Sequence, residues 1–293
     1  MRISPLTIVC LLFLSSSATA RDIFVDNVLG DDRRTGSIAI VTGEGGGPCR
    51  TIAKALRIAL PGDRIVIAKT AQPYRESLTI QGPNHSGDER FPLIIAGSGA
   101  TLDGTMSLAG YNWEYAGDNT FRTRPPHMSF QQLFLDDQPL TRKQPPPGAF
   151  PKLAPREWCL LAGWIYFGVE KGKLPDAYNL SCCGEQVGIT LYEVHDVVIE
   201  DLVVRGFWLD GVNCHDNVRR TDIVRVTAKE NGRSGISVGG SSRVRIDSCT
   251  ASGNGAAQVR IEGYSVVQML DNTLDGSTAP AVVREGGRVV TSE

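Results

Sequence analysis

Between Val197 and Leu274 the apolar positions return at a fixed period. Ile199, Ile223, Ile246 and Met269 share one register, at spacings of 24, 23 and 23. Leu202, Val226, Cys249 and Asn272 form a second, and Val204, Ala228, Ala251 and Leu274 a third, at the same spacings. Val212, Ile236 and Val259 continue the pattern, as do Cys214, Val238 and Ile261. Within a unit the alternation has period two: Val197 and Ile199 point inward and Glu200 outward, as in a strand with one buried face. Short strands repeating in the low twenties, separated by Gly and Asn turns, predict a solenoid of stacked coils, about four of them over 188–287.

Upstream the pattern changes. Strands are predicted at 23–25, 64–68, 77–80 and 92–96, with a Gly/Asp-rich loop over 28–47. Ile52, Ala55, Leu56, Ala59 and Leu60 fall on one face of a helix predicted over 51–60, which Pro61-Gly62 stops. Such a helix would cover the first coil, whose open edge otherwise invites pairing. Residues 105–187 break the repeat. They hold Trp113, Trp158, Trp164 and the Pro145-Pro146-Pro147 run. Two hairpins are predicted, one turning at 136–139 and one at Ala162-Gly163, so this stretch reads as a β-rich insertion leaning on the solenoid. Three tryptophans in a small insertion read first as its core, and second as a sugar subsite.

The first 20 residues read as a secretory signal: Arg2, then the apolar run Ile8 to Leu14, then Ala18-Thr19-Ala20. The organisation expected is therefore 1–20 signal peptide, 21–104 cap and first coils, 105–187 insertion, and 188–293 repeats. The destination is secretion, whether extracellular, periplasmic or cell surface. No other segment is long and apolar enough to span a bilayer. The net charge of -2 makes no electrostatic case for nucleic acid or an anionic membrane. Cys214 and Cys249 sit in registers otherwise filled by aliphatic residues and read as buried thiols. Cys159 with Cys182 or Cys183 is the expected disulfide, as export permits one. No Cys/His spacing suggests a zinc site. The last coil lacks a visible cap, which points to a homo-oligomer through that end or to a shortened chain.

Several segments resemble the right-handed parallel β-helix proteins of the pectin-lyase-like superfamily. They are Val25-Asp26 with Gly30, Asp31, Asp32 and Gly36, then Pro48-Cys49-Arg50-Thr51-Ile52, Pro61-Gly62-Asp63, Tyr74-Arg75-Glu76 and Pro92-Leu93-Ile94-Ile95. The resemblance covers 23–104 and 188–290. It implies an all-β fold: a single-stranded right-handed parallel β-helix with an N-terminal capping helix and a β-rich insertion. It also implies action on a polysaccharide, by a glycoside hydrolase or a polysaccharide lyase. The alternative is a non-catalytic glycan-binding or cell-surface β-helix. Neither the Asp pairs with Gly-His-Gly of polygalacturonases nor the calcium and arginine motif of pectate lyases is matched.

Glycosidic hydrolysis needs two carboxyls, whereas lyase chemistry needs a base beside a uronate and a cation on its carboxylate. In-register residues on successive coils lie about 4.8 Å apart. That stacks Arg205 on Lys229, and the same pair of turns carries Asp210, Glu230 and Arg233. Asp210 and Glu230 are the acid/base candidates, with His215 a second base. Arg205 and Lys229 are candidate anion binders, and Trp208 a candidate platform for a sugar ring. The plainer reading of each is a solvated turn, with Trp208 packed on the insertion. No cofactor is expected. Calcium at Asp26, Asp31 and Asp32 is the one candidate ion, against the plainer reading of a Gly/Asp turn.

Overall fold

At three points in each turn of the repeat one residue adopts the left-handed conformation, and these points are the corners of a triangular coil. The computed structural model describes residues 20–43, 45–127, 130–144 and 152–290. Face A stacks Leu78–Gln81, Ile189–Tyr192, Asp210–Asp216, Ser234–Val238, 257–263 and 282–286 in parallel. Face B stacks Asp22–Val25, Arg64–Ile67, 93–96, 195–200, Arg219–Val224, Arg243–Asp247, 266–270 and 288–290. Face C stacks 100–103, 202–205, Thr227–Lys229, Thr250–Ser252 and Thr273–Leu274.

The corners follow the same register. Glu193, Asn217, Gly240, Gly263 and Gly286 turn from A to B, all with positive φ. Ser98, Asp201, Arg225, Ser248 and Asp271 turn from B to C, and Gly206, Glu230 and Gly253 from C to A. A left-handed residue reverses the strand direction within one or two positions, which keeps each coil short. The backbone groups freed at corners are paired by side-chain ladders. Asn231 Oδ1 accepts the Phe207 N–H (3.1 Å), and Asn254 Oδ1 accepts the Asn231 N–H (3.0 Å). Asn272 serves Cys249 and Ile246 at the B–C corner, and Ser242 serves Val218 at the A–B corner.

The aliphatic registers of the sequence point inward and are buried, from Ile23 and Ile65 through Ile199, Ile223 and Ile246. Cys214 and Cys249 lie among them, as their registers predict. The six cysteines of the described residues are all buried free thiols. The expected bridge from Cys159 does not form. Cys159 lies in Trp158–Leu161, in an antiparallel sheet with Trp164–Gly168, whereas Cys182 and Cys183 lie in Leu180–Cys183, in a different sheet.

The capping helix runs Ile52–Ile58 and seals the first coil with Ile52, Ala55 and Leu56. Thr51 caps it by accepting the Lys54 N–H, and the Glu76 carboxylate accepts the N–H groups of Ile52 and Ala53. It ends earlier than the sequence predicts. Asp63 captures the Leu60 N–H and folds that residue into the turn, so Leu60 is exposed.

The insertion closes on itself, since its last strand, Leu180–Cys183, pairs with Thr105–Ser107 and with Leu133–Leu135. Both predicted hairpins form, the first with a tighter turn than 136–139, since Gln138–Pro139 already pairs with Leu133–Leu135. Their turns, Asp136-Asp137 and Ala162-Gly163, hold positive φ at both positions, as two-residue hairpins require. Trp158 is fully buried, Trp113 packs against Phe167, and Arg122 and Arg124 lie over Trp164, so the tryptophans belong to the insertion itself. It docks on the C–A corner, where Gln132 donates to Gly253 O (3.1 Å). Residues 1–19 of the expected signal peptide and the Pro145–Pro147 run lie outside the described residues.

Candidate functional site

The six residues singled out from the sequence separate into four places. Arg205, Lys229 and Glu230 come together at the edge of face C. Arg205 is in register with Asp103 on one side and Lys229 on the other. Its Nε lies 2.9 Å from Glu230 Oε2, its Nη1 lies 3.7 Å from Asp103 Oδ2, and its Nη2 donates to Asp137 O. Lys229 Nζ is 3.4 Å from Glu230 Oε1. Glu230 holds a left-handed conformation that the coils before and after it fill with Gly206 and Gly253. A cavity of about 410 Å³ opens beside this cluster, lined by Arg75, Thr105, Asp137, Asn179 and Ser181 among others.

Asp210 is not part of that cluster. It starts a face A strand on the other side of the corner and is 0% exposed. Arg233 Nε donates to its Oδ1, while Arg233 Nη2 and Asn213 Nδ2 donate to its Oδ2. A carboxylate with both oxygens occupied and no solvent contact anchors Arg233 and does not meet a substrate, which corrects the acid/base expectation. Trp208 is half-buried, with His127 of the insertion stacked on it at 5.0 Å, so the plainer sequence reading holds for the ring face that His127 covers. His215 is exposed at the far end of face A, 5.8 Å from the Tyr192 ring. The space expected above Asp216 is filled, because its carboxylate accepts the Ser241 N–H over Gly240, whereas Gly239 stands above His215 without a side chain.

A grouping that the sequence reading passed over lies on face A. Glu262 and Glu285 are in register on adjacent coils. Arg260 Nη1 lies 2.7 Å from Glu285 Oε2 and 3.7 Å from Glu262 Oε1. The Arg260 guanidinium holds the Glu285 carboxyl below its ordinary value. The charges of both carboxylates add to that of Asp210 in favouring the Arg233 cation. Asn213 and Ser237, in the register of Arg260, form the buried floor of this grouping. The signal was present in the sequence, since 239, 262 and 285 continue the 23-residue register. Two carboxyls one coil apart, one kept ionised by an arginine, can divide proton donation and base or nucleophile duty.

The N-terminal acidic residues are engaged with their own loop. Asp26 accepts the N–H groups of Val28 and Leu29, Asp31 pairs with Arg33, and Asp32 accepts the N–H groups of Arg50 and Thr51. Among the described residues no three His, Cys, Asp or Glu side chains converge as a metal site would need, and no helix is long and apolar enough to cross a membrane.

The family described as "Right handed beta helix region" matches residues 210–293. No curated protein matches the chain. Among solved structures the chain is similar to one described as "Glycoside hydrolase", with 12% identity, covering 86% of this chain and 74% of that one, at a TM-score of 0.53. Looser likenesses include the complex of XylC with xylose (11% identity, 92% and 68% coverage, TM-score 0.46) and a pectate lyase (13%, 94% and 78%, TM-score 0.33). At these identities the likeness is one of fold. The chain is a right-handed parallel β-helix, and its chemistry has to be argued from its own side chains.

Proposed function

We propose that this chain is a secreted carbohydrate-active protein that binds an extended polysaccharide along face A and cleaves its glycosidic bonds. The observation that supports this reading is the in-register Glu262–Glu285 pair bridged by Arg260. Glu285, held ionised, serves as the nucleophile or base, and Glu262 donates a proton to the leaving oxygen. The strands of face A from Ile189 to Gly286 offer a flank of about 20 Å at the spacing of successive coils. His215 and Tyr192 border this flank at one edge, with His215 a second base candidate. Past the C–A corner, Arg205 and Lys229 with Glu230 supply a further contact for an acidic sugar. Asp210 acts through Arg233, as a positioning residue.

The second reading is binding without cleavage, and Arg260 favours it by engaging both carboxyls at once. The test is incubation of the mature chain with neutral and uronate polysaccharides, with and without calcium, following new reducing ends and unsaturated uronate absorbance. Reducing ends without absorbance, lost in both Glu262→Gln and Glu285→Gln, are the expected result. Absorbance would replace hydrolysis by a lyase reaction with His215 or Lys229 as base. Binding with no product would leave the non-catalytic reading.

A further inference from the structure

The outer side of face B carries a trough of arginines that the cleavage scheme does not use. Its volume is about 510 Å³, and it is lined by Arg219, Arg220, Asp222, Arg243, Arg245 and Gln268 among others. Two outward columns run along it. Arg220 leads into Arg243, Val266 and Arg288, the last three paired in register. Asp222, Arg245, Gln268 and Val290 form the second. Some of the charge is already neutralised. Arg220 is held by Asp196, with Nη2 2.7 Å from Oδ2, and Arg245 by Asp222 and Asp247. Arg219, Arg243 and Arg288 are exposed and make no ion pair or side-chain hydrogen bond among the described residues.

We propose that this trough binds a polyanionic glycan, with Arg219, Arg243 and Arg288 as the cations that engage its carboxylate or sulfate groups. The parallel strands place the backbones of Arg243 and Arg288 two coils apart in one register, with Arg219 on the coil before, so the basic positions recur along the coil axis and present a ladder to an extended chain. Guanidinium groups bind carboxylate and sulfate oxygens through paired, charge-assisted hydrogen bonds. Nucleic acid fits less well. Among the described residues no aromatic side chain lines the trough on which a base could stack, and Asp222 and Asp247 lie among the arginines, against a continuous phosphate backbone. The trough is on a different face from Glu262 and Glu285, so it would hold a polymer independently of cleavage.

The test measures binding of the full mature chain to polygalacturonate and to dextran sulfate, with neutral dextran as control, at low and high salt. Binding to the two anionic polymers alone, weakened by salt, is expected. The double variant Arg219→Ala/Arg243→Ala should lose about tenfold or more in affinity, as removal of two charge-assisted contacts implies. Both residues are exposed, and an unchanged melting temperature would show that the variant folds. The same double variant should release reducing ends from neutral polysaccharides at the rate of the unaltered protein, zero included, which separates this proposal from the cleavage scheme. Equal binding to neutral dextran, affinity unchanged in the double variant, or tighter binding of a single-stranded oligonucleotide than of either glycan would each overturn it.

Discussion

Asp210 and Arg233, one coil apart, form a two-point ion pair at the C–A corner: Nε to Oδ1 at 3.0 Å and Nη2 to Oδ2 at 2.6 Å. The aspartate is wholly buried and the arginine side chain is 18% exposed. Arg233→Ala would leave a carboxylate in the interior with only Asn213 as partner. Removing one member of a buried pair costs about 3–5 kcal/mol, and equilibrium urea unfolding should show a loss of that order. A loss below about 1 kcal/mol would mean that Asp210 finds water or a proton instead.

The asparagine ladder makes a separate prediction. Asn231 accepts the Phe207 N–H and donates to Val204 O and to Asn254, all in the interior. Asn231→Ala strands these groups, at about 1–3 kcal/mol. Hydrogen exchange should quicken first at the corners around Phe207 and Asn254, before the rest of the coil.

Gly240 should resist replacement. Its φ is +58°, and a Cβ there would lie 2.0 Å from the Asp216 carboxylate, which holds the Ser241 N–H. Gly82 also has positive φ but opens on free space. Thermal melts should show Gly240→Ala destabilised more than Gly82→Ala, since only the first adds a collision to the backbone strain.

Asp196 gives the protein an acid-sensitive contact. The Arg220 guanidinium, with His195, holds its carboxyl below the usual aspartate value. A carboxyl lowered on folding adds stability that is complete above its unfolded value, about 3.9, and is lost as pH falls through the folded value. The melting temperature should therefore fall on acidification below about pH 4. Asp196→Asn should flatten that part of the curve, and an identical curve would remove Asp196 from the account.

The thiols should be silent in the native state. Burial pushes Cys182 and Cys214 up to about 12, and Cys159 and Cys249 up to about 11. Since the thiolate is the reactive form, a thiol reagent should titrate these groups only on unfolding. A native protein with no reactive thiol even after unfolding would instead reveal disulfides.

The solenoid was legible in the chain because stacking in register repeats the same burial every 23 or 24 residues, and periodic burial leaves a periodic apolar pattern. The hairpins at Asp136-Asp137 and Ala162-Gly163, the buried Cys214 and Cys249, and the Arg205–Lys229 stack follow from local turn chemistry and the same counting. Only the tertiary structure decided the side of each corner. Asp210 and Glu230 are close in the repeat, yet one corner sends the first into the interior under Arg233 and the second toward Arg205 on face C. The left-handed corner residues set those directions, and spacing alone does not encode them. Docking of the insertion placed His127 on Trp208, because packing between distant segments depends on shape and leaves no period in the sequence. The Glu262–Glu285 pair lies between these cases: the 23-residue register foretold the stacking, but only the fold revealed Arg260 between the two carboxyls.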